Sequence, residues 1–515
     1  KKIILYLTLI TISVLLSCSE NITDKPLSNK TPDTFLFLYP NDENQLSQQK
    51  SRLRVHWWGD DADGLIIGYY FNWKGLDDIW TFTTKNDSLF SLPIGTADTT
   101  FIFQVVAVDN NGNGKYDNSV IWNNINLGAE PFIDANNDGV YNPGEKFYDI
   151  GMIDPTPAQL KFPIKNTPPT IQWSKTSILP STSFPVMTVA WEFDDLDGIE
   201  TIVKINLALN DTTDYVSLTR SAQLVTLRID DVNSSNPQLQ ILINGSNANI
   251  ASEKLKHLKL DDYNRLYVQA EDISGAKSPF IALPSTDNNW YIKKPKGKLL
   301  IIDDFAGTTG ESFYQNTFSS LNSGALANKF DVLNLESEKI PYPNTTLLET
   351  MKLFKSVYWY SDSSPNLDYL NVTTQKYISS GGKIAFSLTF QDSTDAFPID
   401  ISALQGFLPI EKLGEKKPLA FLLSNASLTG TGDFASYPAL KTSSTISFIR
   451  TYQPSSVALP VYNLISAQKS GIVSLIDSAR DLFFIGLPLH QCDGNSGNVG
   501  KLLEKIFFEE FGLVP

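Results

Sequence analysis

The chain has 515 residues, 42% hydrophobic and 11% aromatic, enough to bury several cores and to exclude global disorder. Its 56 acidic residues outnumber 41 basic ones for a formal charge of −15, which argues against nucleic acid or anionic lipid headgroups as partners. Two cysteines leave no disulfide framework, and three scattered histidines, His56, His257 and His490, do not make an imidazole zinc site.

The chain opens with Lys1-Lys2, an apolar run of 14 residues from Ile3 to Leu16, and Ser17-Cys18. Two bases, a short apolar run and a small residue before a cysteine have the three-part layout of an export signal, and 14 residues are too few to span a bilayer comfortably. The segment Leu15-Leu16-Ser17-Cys18 resembles the cleavage site of bacterial lipoproteins. That resemblance implies a signal peptide over 1–17, a lipid on Cys18 and attachment to a membrane through that lipid. With Ser19 rather than Asp after the cysteine, the expected address is the bacterial envelope at the outer membrane, its periplasmic or surface face open. Without Lys1 and Lys2 the formal charge becomes −17, from 39 basic and 56 acidic residues. Residues 18–34, polar with Pro26 and Pro32, read as a tether.

An internal repeat follows. Val55-His-Trp57-Trp-Gly-Asp-Asp-Ala-Asp-Gly64 aligns without a gap on Val189-Ala-Trp191-Glu-Phe-Asp-Asp-Leu-Asp-Gly198, and Phe103 to Asp109 aligns on Leu266 to Asp272. Apolar residues alternate before each acidic turn, the period of a half-buried strand. Two β-sandwiches are expected, over 35–166 and 167–294, with Trp57 and Trp191 facing their cores. The pattern resembles fibronectin type III and immunoglobulin-like modules of bacterial surface proteins. In such a sandwich Asp60, Asp61 and Asp63 would lie near Asp109, and Asp194, Asp195 and Asp197 near Asp272. The acidic turns read as tight turns, with Gly64 and Gly198 at positive φ, or as cation sites.

An insertion over 109–150 carries the strongest chemical signal. Asp134, Asn136, Asp138, the Val140 carbonyl, Asn142 and Glu145 fit the twelve-residue calcium template, with Gly139 at its sharp turn. Asp109, Asn111, Asn113 and Asp117 form a weaker version, with Val120 where the bidentate acid belongs. Calcium in a structural role is the expected cofactor.

From Lys298 the texture changes to short apolar runs alternating with helical segments, so 295–515 is expected to be a three-layer α/β domain with a mainly parallel sheet. Its carriers are Lys298-Leu-Leu-Ile-Ile-Asp303-Asp304, Gly381-Gly382 before a strand, and Gly486-Leu-Pro-Leu-His490. These resemble the class I glutamine amidotransferase-like superfamily of flavodoxin-like fold, and the resemblance puts His490 in the catalytic histidine's place. Gln491 and Cys492 stand where the family has Pro and Glu, and the Gly-x-Cys-x-Gly nucleophile elbow is missing. Candidate catalytic residues are His490, Asp303, Asp304 and Cys492, with Ser387 as a further nucleophile.

The fold class expected is therefore multidomain, two all-β sandwiches followed by an α/β domain. The function expected is a non-catalytic envelope lipoprotein, calcium-stabilised, that binds or scaffolds an unknown protein or glycan partner. The alternatives are an envelope hydrolase or sugar-processing enzyme at the α/β sheet's carboxyl edge, and a glycan-binding surface protein using Trp73, Trp80 and Trp122.

Overall fold

In the computed structural model the alternation around Trp57 is that of a strand buried on one face: Val55 and Trp57 are 0% and 1% exposed, while Trp58, next along the same strand, faces outward. The structure describes residues 28–37, 52–93, 99–164, 166–285, 290–305, 307, 309–390, 400–414, 421–447, 449–465 and 469–514. Cys18, the expected signal peptide over 1–17 and most of the expected tether over 18–34 lie outside the described residues. Among the described residues, no helix is long and apolar enough to cross a membrane. The chain divides into two compact units, one of 1–167 with 196–201 and 273–275, the other of 168–195, 202–272 and 276–515.

The first unit is a β-sandwich. One antiparallel sheet orders Asp33–Phe37, Arg52–Asp60 and Asp87–Ser91; the other orders Thr81–Thr83, Ile66–Lys74, Thr99–Asp109 and Ala158–Ile164. Their inner faces meet in an aromatic core, where Phe103 lies 5.5 Å from Trp57 and 4.9 Å from Trp73 between ring centroids. The insertion leaves the strand Thr99–Asp109 and returns at Ala158. Gly198 takes φ +116° as a turn glycine, but Gly64 does not adopt a positive φ. A Cβ at Gly64 would stand 2.3 Å from Asp61 Oδ2, so a larger residue there would have to displace that side chain.

In the second unit, a second sandwich pairs the sheet Thr170–Trp173, Val186–Asp194, Leu224–Ile229, Leu239–Ile243 with the sheet Tyr215–Thr219, Ile202–Leu209, Leu266–Asp272, Ile281–Leu283. Trp191, 2% exposed, holds the core position its repeat partner Trp57 holds in the first.

The same unit contains a nine-stranded sheet. Its strands are β1 (Leu299–Asp303), β2 (Phe330–Asn334), β3 (Ser356–Ser361), β4 (Lys383–Leu388), β5 (Ser427–Gly430), β6 (Leu440–Lys441), β7 (Ala458–Ile465), β8 (Ser470–Asp477) and β9 (Leu482–Ile485). The order is β2-β1-β3-β4-β9-β8-β7-β5-β6. Strands β2 to β9 of that order pair parallel and the remaining four pairings are antiparallel, so the sheet is mixed rather than mainly parallel. The hairpin-linked half follows from connections too short for a crossover, such as the four residues between β8 and β9.

Alternate residues of β1 and β3 enter different cores. Leu299, Ile301, Tyr358 and Tyr360 pack with Tyr314 and Phe318 of helix α1 (Glu311–Gly324), which is broken at Leu321–Ser323. Leu300, Ile302, Val357 and Trp359 pack with Leu347 and Leu348 of helix α2 (Pro343–Met351) and with Leu370 and Tyr377 of helix α3 (Leu367–Ser379). Helix α2 also docks on the second sandwich. Glu349, with its side chain 3% exposed, receives Arg228 Nη1 at 2.7 Å, Lys352 Nζ at 2.7 Å and Asn247 Nδ2 at 2.9 Å. Beside it the Thr188 hydroxyl meets those of Thr226, Thr345 and Thr346 at 2.8, 3.0 and 2.8 Å.

Candidate functional site

Strand order reverses at β1, with β2 on one side and β3 on the other, and in open sheets such a reversal leaves a crevice at the strands' carboxyl ends. Asp303 closes β1 and Asp304 follows it, Asp362 follows β3, and His490 lies in the short turn Leu489–Gln491 after β9. Successive residues of a strand face opposite sides, so the paired acids separate. Asp303 accepts Asn334 Nδ2 at 3.1 Å and the Phe305 N–H at 3.2 Å, with the Tyr360 hydroxyl also bonded to it. Asp304 turns to the other face, where Oδ2 accepts Trp359 Nε1 at 3.1 Å and the Asn366 N–H at 2.7 Å. Burial raises both carboxyl pKa values, that of Asp304 to about 6.

His490 pairs with neither. Its Nε2 faces Asp362 Oδ2 at 3.3 Å, and the two side chains are 9% and 8% exposed. No hydrogen-bond partner reaches either Asp362 oxygen. Burial, with the charge of Asp303 added, lifts Asp362 to about 7, while burial depresses His490 to about 4. Both shifts favour the uncharged forms, so between about pH 4 and pH 7 a neutral acid stands beside a neutral imidazole. The His490 N–H donates to the Tyr314 hydroxyl at 3.2 Å, and that hydroxyl stands 3.4 Å from Nδ1.

Ser387 reaches His490 only through the Tyr314 hydroxyl between them. Ser387 donates to the Leu487 carbonyl at 2.8 Å and accepts the Leu489 N–H at 3.2 Å, a link that fixes the β4 and β9 ends. Cys492 is fully buried among Tyr314, Leu487 and Val499 on the α1 face, and burial pushes its thiol up to about 12. A thiol so placed packs as a small apolar side chain. Asp303, Asp304, His490, Ser387 and Cys492 therefore do not assemble into one catalytic set. Asp362, the partner of His490, carried no sequence motif beyond being an acid directly after an apolar strand.

In the insertion the calcium-template residues form one tight turn. Asp134 accepts the Gly139 N–H at 2.8 Å, Asp138 the Val140 N–H at 2.8 Å, and Glu145 the N–H groups of Ala135 and Asn142 at 2.8 and 2.9 Å. Asn136 and Asn142 donate to Asp138 Oδ2 at 3.0 and 2.9 Å, and Asn142 also reaches the Val140 carbonyl at 2.9 Å. These bonds, led by the Val140 N–H, hold the Asp138 carboxyl below its ordinary pKa. The donors are all oxygens, the set a hard divalent cation takes. Among the described residues, however, no three His, Cys, Asp or Glu side chains converge on a point that could hold a metal.

In the weaker loop Asp109, fully buried, accepts the N–H groups of Asn111 and Met152, both at 2.9 Å, and Asn29 Nδ2 at 2.6 Å. Asn113 accepts the Lys115 N–H at 2.8 Å and donates to Asp117 at 2.6 Å. Asp149 reaches across to take the Gly114 N–H at 2.8 Å, a role no spacing rule announced. The acidic turns of the repeat behave alike. Asp61 accepts the Asp63 N–H at 3.3 Å, Asp194 that of Asp195 at 2.9 Å, Asp197 that of Thr167 at 2.7 Å and Asp272 that of Ala276 at 2.8 Å. Rings join the two loops of the insertion: Tyr116 stacks on Tyr141 at 3.7 Å and 10°, with Phe132 and Phe147 edge-on to both.

The tryptophans expected to contact glycans belong to the core. Trp73 and Trp122 are 4% and 7% exposed, and Trp80 packs edge-on to Trp122 at 5.0 Å. Their large apolar faces are worth more buried than exposed.

No protein-family model matches this chain, and no curated protein matches it. Solved structures similar to it include the fibronectin(III)-like modules of Clostridium thermocellum CbhA, 11% identical over 46% of this chain and 84% of that one, TM-score 0.16. A two-domain fibronectin type III segment of chicken tenascin is 11% identical over 49% of this chain and 97% of that one, TM-score 0.20. The central fibronectin-III array of RIM-binding protein is 10% identical over 50% and 91%, TM-score 0.14. Likenesses of this size identify neither a family nor an activity.

Proposed function

We propose that this chain is a non-catalytic, lipid-anchored protein of the bacterial envelope that works by recognition. In this reading Cys18 carries the lipid at the outer membrane, and fibronectin type III-like sandwiches, stabilised by calcium at Asp134 to Glu145, carry a degenerate, three-layer amidotransferase-like domain. Bound calcium would cross-link the turn through Asp134, Asn136, Asp138, the Val140 carbonyl, Asn142 and Glu145. The observation that carries the non-catalytic reading is the engagement of Ser387 in a strand-end link and of Cys492 in the core, leaving the acids and His490 without a nucleophile. The test is labelling of the native chain with a fluorophosphonate and with iodoacetamide, read by peptide mass spectrometry. Neither Ser387 nor Cys492 is expected to react before denaturation; native labelling of either overturns the reading. Mass spectrometry of the exported protein's first residue tests the acyl group on Cys18.

One observation favours hydrolysis as a second reading: Asp362, buried and without a hydrogen-bond partner, stands 3.3 Å from His490 Nε2, an acid within reach of a base. Turnover of ester or glycoside substrates that disappears in Asp362→Asn would establish it.

A further inference from the structure

The insertion of the first unit, with Thr31, lines an open cleft of about 410 Å³ that no motif announces. Its lining includes Asp117, Glu130, Ser119, Trp122, Ile150 and Ile153, and contains no Lys, Arg or His. Glu130 is 2% exposed, and its two oxygens accept the N–H groups of Ile150 at 2.7 Å and Asp117 at 2.9 Å. A carboxylate has about four acceptor positions, so two bonds leave it able to take more. The charges of Asp149 and Asp117 act on Glu130 as well, so three acids share this neighbourhood.

Behind the wall lies Tyr70, 2% exposed, its hydroxyl without a hydrogen-bond partner and within electrostatic reach of Glu130. It packs with Trp122, Ile150 and Ile153. Such a site repels anions, because carboxylates in a partly dry cleft act through a low effective dielectric. Among the described residues no three His, Cys, Asp or Glu side chains converge to hold a bare metal ion, and the cleft has the volume of about a dozen waters, in the range of sites for small organic molecules. Its apolar side calls for hydrocarbon.

We propose that this cleft binds a small organic cation, its ammonium group against Glu130 and Asp117 and its carbon body along Trp122, Ile150 and Ile153. The site is separate from the strand-end cluster and stands whether or not that cluster recognises anything.

The test is calorimetric titration of the full chain with choline and with 3,3-dimethylbutan-1-ol, which has the same shape without the charge. Choline is expected to bind at least about tenfold more tightly than the alcohol, and to lose at least about tenfold in Asp117→Asn and in Glu130→Gln. Asp117→Asn keeps the test decisive if Glu130→Gln does not fold. Equal affinity for the two probes, absence of choline binding up to about 10 mM, or abolition of choline binding by calcium would each overturn the proposal.

Discussion

In the insertion, Asp134, Asp138 and Glu145 each accept backbone N–H groups of their own turn, whereas at the strand ends of the second unit Asp362 is buried with no hydrogen-bond partner. Loops lack a ladder for their amides, and ionised side chains at the turn surface supply the missing acceptors. At the end of β3 the opposite holds: Asp362 meets desolvation without compensation, whereas Asp303 and Asp304 at the end of β1 accept the N–H groups of Phe305 and Asn366. The charge state follows: hydrogen bonds hold Asp138 below its ordinary pKa, and burial lifts Asp362 to about 7. Glu349 combines both conditions, buried like Asp362 yet bonded by Arg228, Lys352 and Asn247.

The largest loss of stability is expected at Glu349. Removing it leaves Arg228 facing the domain contact with its strongest partner gone, so Glu349→Ala should cost about 3 kcal/mol in denaturant unfolding. A cost below about 0.5 kcal/mol would place this acid with the surface pairs instead.

Asp362 should respond in the opposite direction. Its folded pKa of about 7 lies above the unfolded value of about 3.9, so native stability present at low pH is lost as pH rises through that window. His490, depressed to about 4, acts in the other sense, losing stability as pH falls below about 6.5. Asp362→Asn, which mimics the neutral acid, should be close to the wild type near pH 4 and more stable by about 4 kcal/mol at pH 8. A destabilised variant at pH 8 would show that the carboxylate is ionised and paired with an imidazolium.

The smallest effect is expected in the insertion. Calcium should raise the melting temperature by about 3 °C over the chelated protein, and Asp134→Ala should remove that increment. An equal increment in both proteins would move the cation away from this turn.

The repeat made the sandwiches legible, because alternation before Asp-Asp-x-Asp-Gly fixes which face of the strand bearing Trp57 or Trp191 is buried. The opening of the C-terminal sheet was equally legible: Leu299–Asp303, Ser356–Ser361 and Lys383–Leu388 are apolar runs of strand length. Its antiparallel half was not, since β5 and β6 are only four and two residues long and Pro460 interrupts β7. Pairing of His490 with Asp362 depends on β3 and β9 ending at one edge of the sheet, a fact of strand order that local spacing does not encode. Asp303 and Asp304 looked like one acidic pair, and the pleat divides them between two cores.

The stacking of Tyr116 on Tyr141 joins two turns that the chain separates by 24 residues, with Phe132 and Phe147 filling the corners. Neither turn can swing open without baring the rings of the other. The insertion is therefore expected to open as a single cooperative piece, its amides exchanging hydrogen at a common rate rather than loop by loop.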